Sequence, residues 1–317
     1  MQKVKYSFVL PAYKARFFRE AIDSILGQTY TNFELIIVND ASPEDLDSIV
    51  RSYDDPRIQY YVNKENIGGK DLVAQWNHCL EYANGEYVIL ASDDDIYFPQ
   101  YLEKMDNLVQ KYPGVNVYRP RIKVINEEGV VLHESRRCKE IIDVAEYLFG
   151  YLHGLIDNGI PYYLFAKKTL MQIGGFVNFP LAWGADDATV ALMARGGMCI
   201  EDDILFVFRM SGINISTINN PAVVKIKLQG DLLLHRFIKD YINSLIANNE
   251  CDKKYVYSLI QSLDRMLRSR TAAYLNLMNF VDAIKIIPQL HEFPWVTVSF
   301  MFKRVLKKIL QLLHVVK

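Results

Sequence analysis

Apolar residues along the first hundred positions follow two alternating periods. Short β-branched and aromatic runs (SFVL at 7–10, FELIIV at 33–38, IQYYV at 58–62, EYVILA at 86–91) alternate with stretches whose apolar positions recur every three or four residues. The second period predicts helices through Phe18, Ala21, Ile22 and Ile25, over Leu46 to Tyr53, and over Leu72 to Ala83, the last ended by Asn84-Gly85. Near-continuous apolar strands separated by amphipathic helices give a βαβα order. The class is therefore α/β, with a mainly parallel, Rossmann-like sheet covered by helices on both faces.

The middle of the chain, residues 115–215, mixes strand-like runs (NVYRPRIKVI, YYLFA, ILFVFRM) with two helical ones, of which ADDATVALMAR is closed by Gly196-Gly197. This segment completes the same sheet. From Pro221 the pattern is almost wholly helical, with no internal repeat, so the expected organisation is one domain over 1–220 followed by a helical appendage over 221–317.

In such sheets ligands bind beyond the carboxyl ends of the strands, and here those positions are unusually polar. They read Pro11-Ala12-Tyr13, Asn39-Asp40-Ala41-Ser42, Asn63 to Gly69, and Ser92-Asp93-Asp94-Asp95. Three consecutive aspartates repel one another and raise one another's pKa, which a bound cation relieves. Mg2+ and Mn2+ use one or two carboxylates together with the phosphates of a nucleotide, so the run fits a metal-diphosphate site. The simpler reading makes Asp95 the cap of a helix beginning near Pro99. Asp40 is placed to accept hydrogen bonds from a base or ribose, or to form a capping turn with Asn39 and Ser42. In NIGGK, backbone amides and Lys70 are candidates for a diphosphate, although Gly-Gly is also an ordinary turn. At Trp183-Gly184-Ala185-Asp186-Asp187, two acids open a helix; they are either favoured there by its dipole or serve as a general base facing an acceptor pocket shaped by Trp183 and Gly184.

A net charge of −1 and a pI near 6.6 give no reason to expect nucleic acid. Four scattered cysteines, without a CxxC pair, predict reduced core thiols rather than disulfides or zinc. The start of the chain shows no signal-peptide pattern, and no stretch reaches the ~18 to 20 apolar residues of a membrane span, so a cytoplasmic location is expected. Residues 300–317, FMFKRVLKKILQLLHVVK, set Phe302, Val305, Leu306, Ile309, Leu310 and Leu313 opposite Lys303, Arg304, Lys307 and Lys308. With Phe293 and Trp295 before it, this segment is either a peripheral contact to an anionic membrane face or a core-facing helix with a solvated basic side.

Six ordered blocks, SFVLPAY, ELIIVNDAS, NIGGKDLVAQWNHCLEYANGEYVILASDDDIYFP, KTLMQIGGF, WGADDATVALMARGG and FRMSGINIS, resemble a family 2 glycosyltransferase with a GT-A fold over roughly Tyr6 to Ser216. The resemblance implies a nucleotide-binding half at about 1–97 and an acceptor half at about 98–220. It implies that Pro11, Tyr13 and Asp40 hold the base and ribose, that Asn66 and Asp93 face the nucleotide, and that Asp94, helped by Asp95, coordinates Mn2+ or Mg2+. Asp187 matches the base of an inverting transfer and Asp186 its acidic neighbour. The implied reaction moves a sugar from a nucleotide-diphosphate donor, UDP-sugar first, to a hydroxyl of a glycan or lipid-linked acceptor, as in surface polysaccharide synthesis. The chain departs from the family pattern twice: FRMSGINIS stands where many members have a histidine, leaving Arg209, Asn214, Ser216 or water for that contact, and SDDD replaces Asp-x-Asp-Asp. A sugar nucleotidyltransferase would need a glycine- and basic-rich loop that PAYKARFF lacks. A non-catalytic sugar-nucleotide-binding protein has no need to keep Asp94 and Asp187.

Overall fold

The computed structural model describes residues 4–286, apart from 213, 214, 252 and 279, together with residue 290. Its first part runs β1 (Tyr6–Ala12), α1 (Phe18–Leu26), β2 (Phe33–Asn39), α2 (Leu46–Arg51), β3 (Ile58–Val62), α3 (Leu72–Leu80) and β4 (Tyr87–Leu90). All four expected strands form and pair in parallel, with Val9 of β1 between Ile36 of β2 and Leu90 of β4. β2 is buried along its whole length, which is why its sequence is apolar at successive rather than alternate positions. Helix α3 starts as expected, with the Asp71 carboxylate accepting from the Ala74 amide at 2.9 Å, and ends at Leu80, three residues earlier than its apolar pattern.

The chain continues through β5 (Ile96–Tyr97), α4 (Tyr101–Lys111), β6 (Val117–Asn126), β7 (Val131–Glu134), β8 (Ile141–Ile142), α5 (Val144–Leu152), β9 (Leu164–Ala166), α6 (Lys167–Gln172), α7 (Ala185–Met193) and β10 (Met198–Met210). Among the described residues one sheet results, in the order β3-β2-β1-β4-β9-β6-β10-β5, with β7 added to β6 and β8 to β10. Beyond β4 the sheet is mixed: β9 is antiparallel to β4 and β6, whereas β10 runs parallel to β6. After β1 the chain moves outward to β2 and β3, then returns to place β4 on the other side of β1. That reversal opens a crevice between the ends of β1 and β4. Edge-to-face packing of Tyr97 on Phe8 (5.0 Å) and Phe206 (4.9 Å) anchors β5 in the core, and so fixes the aspartate run just before it.

Residues beyond 220 form α8 (Pro221–Ala247), α9 (Lys253–Leu277) and α10 (Phe280–Ile286). Helix α8, 27 residues and about 40 Å long, starts on the Asn220 side chain, which accepts from the Val223 amide at 3.0 Å. Leu234, Ile238, Ile242 and Leu245 of α8 and Leu259 and Leu263 of α9 share one buried cluster with the sheet. The core is therefore continuous across residue 220. The amphipathic 300–317 segment, with Phe293 and Trp295, lies outside the described residues. All four cysteines are free, and three are buried.

Candidate active site

A cavity of about 800 Å3 opens at the reversal between β1 and β4. One wall carries Pro11, Tyr13, Lys14, Asp40, Asn66, Asp93 and Asp94; the facing wall carries Tyr151, Trp183, Gly184, Asp186 and Asp187. Ten of the residues singled out from sequence thus meet around one space. Lys70 and Asp95 are not among its lining residues.

The aspartate run divides by geometry. Asp93 Oδ2 accepts from the backbone amides of Tyr13 (3.0 Å) and Lys14 (2.8 Å), tying the β4 loop to the β1 loop. Asp94 Oδ2 accepts from the Ser211 hydroxyl at 2.8 Å. Between the two acids lies the Lys14 ammonium, 3.6 Å from Asp93 Oδ1 and 3.5 Å from Asp94 Oδ2. Burial raises the Asp93 carboxyl above its usual range, with Lys14 opposing and Asp94 adding to the rise. Asp95 turns to β10 instead: its Oδ1 accepts from the Arg209 amide at 2.9 Å, and its Oδ2 is buried without a hydrogen-bond partner among the described residues. Burial, then the charge of Asp94, lifts Asp95 well above the carboxylate range. It does not cap α4, which begins at Tyr101 after Gln100, and it lies behind the wall rather than in it.

Arg209 braces this region: its Nε donates to the Asp94 carbonyl at 3.0 Å, its Nη2 lies 2.7 Å from Glu20 Oε2, and its guanidinium rests 4.2 Å over the Phe17 ring. Of the three residues that were to replace the family's histidine, Arg209 is thus committed to the loop. Asn214 lies outside the described residues, as does the side chain of Ser216. Among the described residues, Ser211 at this strand end reaches the Asp94 carboxylate.

Asp40 is engaged by its own protein. Its Oδ1 accepts from Asn63 Nδ2 and the Ile67 amide, both at 2.8 Å, and its Oδ2 from the Gly68 amide at 2.7 Å. The Gly69 amide donates to Asn66 Oδ1. The amides of Ile67, Gly68 and Gly69 therefore organise the loop around Asp40 and Asn66. A Cβ at Gly68 would stand 2.9 Å from Asp40 Oδ2, which explains the glycine. Lys70 is exposed and pairs with Glu65 at 2.6 Å.

On the facing wall, Gly184 begins α7 in the left-handed region (φ +95°), and Asp186 and Asp187 occupy the first turn without capping it through a side chain. Asp187 is buried, and its Oδ1 accepts from Asn158 Nδ2 at 2.6 Å. Asn158 in turn accepts from the Tyr163 hydroxyl at 2.6 Å, and that hydroxyl accepts from Arg119 Nη1 at 3.2 Å. This relay fixes the carboxylate's orientation. Asp186 accepts from the Asp187 amide at 3.0 Å, and burial followed by the Asp187 charge raises its carboxyl. Trp183 Nε1 donates to Asp231 Oδ1 of α8 at 3.1 Å, and Arg270 of α9, which also lines the cavity, reaches the same oxygen at 2.8 Å.

Lys14, Asn158, Ser211 and Arg270 were not singled out from sequence. Lys14 carried a signal, since it follows the first strand directly. The other three come from a loop, from the far end of β10 and from α9, where no local pattern marks them.

In sequence, the chain is 35% identical over 175 residues to an uncharacterized glycosyltransferase of Rickettsia typhi, an alignment covering 52% of this chain and 53% of that protein. It thus spans about half the length of that curated relative. In structure it resembles residues 1–349 of TarS from S. aureus, solved in complex with UDP-GlcNAc (TM-score 0.56, 16% identity, 86% of this chain and 84% of that one). It also resembles mannosyltransferase PcManGT from Pyrobaculum calidifontis, solved with GDP-Man and Mn2+ (TM-score 0.50, 16% identity, 94% and 84%). These likenesses identify the fold as that of the GT-A glycosyltransferases. The model of glycosyl transferase family 2 matches residues 7–168, just over half of the sequence, and the chain belongs to that family.

Proposed function

We propose that this protein is an inverting glycosyltransferase that moves a sugar from a nucleoside-diphosphate donor, UDP-sugar first, to a hydroxyl of a glycan or lipid-linked acceptor in surface polysaccharide synthesis. The carrying observation is that Asp94 and Asp187 line opposite walls of one cavity, with Asp187 oriented by Asn158. The nucleotide occupies the wall of Pro11, Tyr13, Asn66 and Asp93, and the acceptor lies against Trp183 and Gly184. The nucleotide sugars named for the TarS and PcManGT complexes support the donor class.

Asp187 takes the proton of the acceptor hydroxyl as its oxygen bonds to the anomeric carbon; the bond from that carbon to the diphosphate breaks, and the nucleoside diphosphate departs with the electron pair. One displacement inverts the anomer. The relay through Asn158, Tyr163 and Arg119 holds Asp187 towards the cavity, and Lys14 stands where charge on the diphosphate develops.

Among the described residues, no group of three or more acids, histidines or cysteines is arranged for a metal. A cation held jointly with a diphosphate needs fewer, and the ammonium between Asp93 and Asp94 marks a position that accepts positive charge. Asp94, with Asp93 beside it, would hold Mn2+ or Mg2+, which when bound offsets the charge of the leaving diphosphate. No helix among the described residues is long and apolar enough to cross a membrane. The basic 300–317 segment remains the proposed peripheral contact on the inner membrane face.

Purified protein incubated with Mn2+ and a panel of UDP-, GDP- and dTDP-sugars is expected to release nucleoside diphosphate with at least one of them. Asp187→Asn lowers that rate by about 10²- to 10⁴-fold, and Asp94→Asn abolishes it. Nucleotide binding without turnover, insensitive to Asp187→Asn, would make the protein a binding module; pyrophosphate release from a nucleoside triphosphate and a sugar phosphate would make it a nucleotidyltransferase.

A further inference from the structure

Gln75 reaches the cavity wall from α3 and is 1% exposed. Its Oε1 accepts from Asn63 Nδ2 at 2.9 Å, and the same nitrogen donates to Asp40 Oδ1 at 2.8 Å. Asn63 Nδ2 can only donate, so it must meet the oxygen of the Gln75 amide, and the orientation of that amide is fixed. Its Nε2 is buried without a hydrogen-bond partner among the described residues. A buried donor left unpaired is costly and rare, so this nitrogen calls for an acceptor on a molecule in the cavity. Leu72 stands one turn earlier on the same face of α3, and Leu72, Trp76 and Pro11 also line the cavity. The charged groups suited to a diphosphate, Lys14, Asp93 and Asp94, lie instead at the ends of β1 and β4. A neutral amide donor among apolar side chains suits a flat heteroaromatic ring bearing a carbonyl better than a phosphate or a hydroxyl-rich sugar.

We infer that Gln75 is a specificity-determining residue of the donor site, its Nε2 donating to a carbonyl of the nucleotide base, while Asp40 holds Asn63 and through it the Gln75 amide. This rests on the cavity being a nucleotide-sugar site. Asp40 takes three donors of its own chain, so its part here is to hold the amide that meets the base. The glycine of the loop belongs to the same arrangement: a Cβ at Gly68 would stand 2.9 Å from Asp40 Oδ2 and 3.6 Å from Gln75 Cβ, so the backbone at 68 packs against both residues. Uracil has two carbonyls to offer, guanine one and adenine none, so the contact selects uridine or guanosine donors against adenosine ones.

The test is calorimetric binding of nucleoside diphosphates at fixed Mn2+, which needs no acceptor. UDP is expected to bind about tenfold more tightly than ADP, and either 2-thio-UDP or 4-thio-UDP, whose sulfur is a poor acceptor, about 3- to 10-fold more weakly than UDP. In Gln75→Met, which keeps the length of the side chain without its amide, UDP affinity falls by a similar factor and the difference between UDP and that thio analogue disappears. A merely structural role would weaken UDP and the analogue together and leave their difference standing, which overturns the inference. Wild-type protein that binds ADP, or both thio analogues, as tightly as UDP overturns it too. If Gln75→Met does not fold, Gln75→Asn, which draws the amide back by one methylene, must abolish the difference instead, and a difference that persists overturns the inference equally. If GDP binds in place of UDP, 6-thio-GDP serves as the analogue. Wild-type protein that binds no nucleoside diphosphate defeats the proposed function itself, whereas nucleotide binding without a thio effect defeats only the role of Gln75.

Discussion

Replacing Lys14 by methionine removes a cation from between two carboxylates while keeping most of the aliphatic stem. At 3.5 and 3.6 Å, with an effective dielectric near 20, each Lys14 contact has a Coulomb energy of about 5 kcal/mol before desolvation. The Lys14 side chain is 29% exposed, so solvent screening and the cost of dehydrating the ammonium reduce the net effect to about 1–2 kcal/mol. A divalent cation at the same carboxylates must displace that ammonium, so Lys14→Met is expected to tighten Mn2+ binding by roughly 5- to 30-fold. The assay is the free Mn2+ signal in electron paramagnetic resonance, titrated at saturating UDP. The same variant leaves Asp93 and Asp94 uncompensated, so without metal its Tm should fall, and Mn2+ should restore it. Unchanged or weaker Mn2+ binding, or a Tm deficit that Mn2+ does not repair, would refute the idea that lysine and metal share one position.

Three further outcomes are expected. Burial and the neighbouring Asp187 raise the Asp186 carboxyl, so the folded protein keeps a proton that the unfolded chain releases above about pH 4. Stability is lost as pH rises from there through the raised value, and Asp186→Asn should raise Tm near neutrality with no gain at low pH, checked by calorimetry across pH. Burial would raise Asp106 too, but hydrogen bonds from Lys5, Tyr6 and Gln110 outweigh it and hold the carboxyl low; that stability is present above the unfolded pKa and is lost as pH falls through the folded one, so Asp106→Asn should flatten the acid limb of a Tm-against-pH curve. Gly184→Ala puts a Cβ at φ +95° and 3.1 Å from Leu234 Cδ2, which should cost about 2 kcal/mol and lower Tm by about 3–6 °C, with a larger loss of turnover because the first turn of α7 shifts.

The strand and helix order of the first ninety residues was legible because parallel, doubly covered strands must be apolar throughout, a pattern that local sequence cannot disguise. The strand-end acids were legible for the same reason: they are polar where the period demands an end. What a strand end does with its side chain was not legible. Asp93, Asp94 and Asp95 are adjacent in sequence, yet the first two face the cavity while Asp95 is pulled to the Arg209 amide, because β5 pairs with β10, a partner over one hundred residues away. Asp40 reads as an open acceptor until the NIGG loop folds over it and fills it with its own amides.

Long-range placement also explains why Arg270 was invisible. A lone arginine in an amphipathic helix has no local mark, and residues past 220 looked like an addition to a finished domain. Five acids around one cavity cannot all be charged in a low-dielectric site without local compensation. The chain provides it separately at each group: amides for Asp40, an ammonium from the β1 loop for Asp93 and Asp94, and the Asn158 side-chain amide for Asp187. Separate compensation lets the two walls differ: two acids share an ammonium on one side, and on the other burial and the Asp187 charge raise Asp186. Because α9 brings Arg270 to the cavity lining and α8 brings Asp231 to the Trp183 indole, the helices beyond residue 220 build part of the site's wall as well as the packing beneath it.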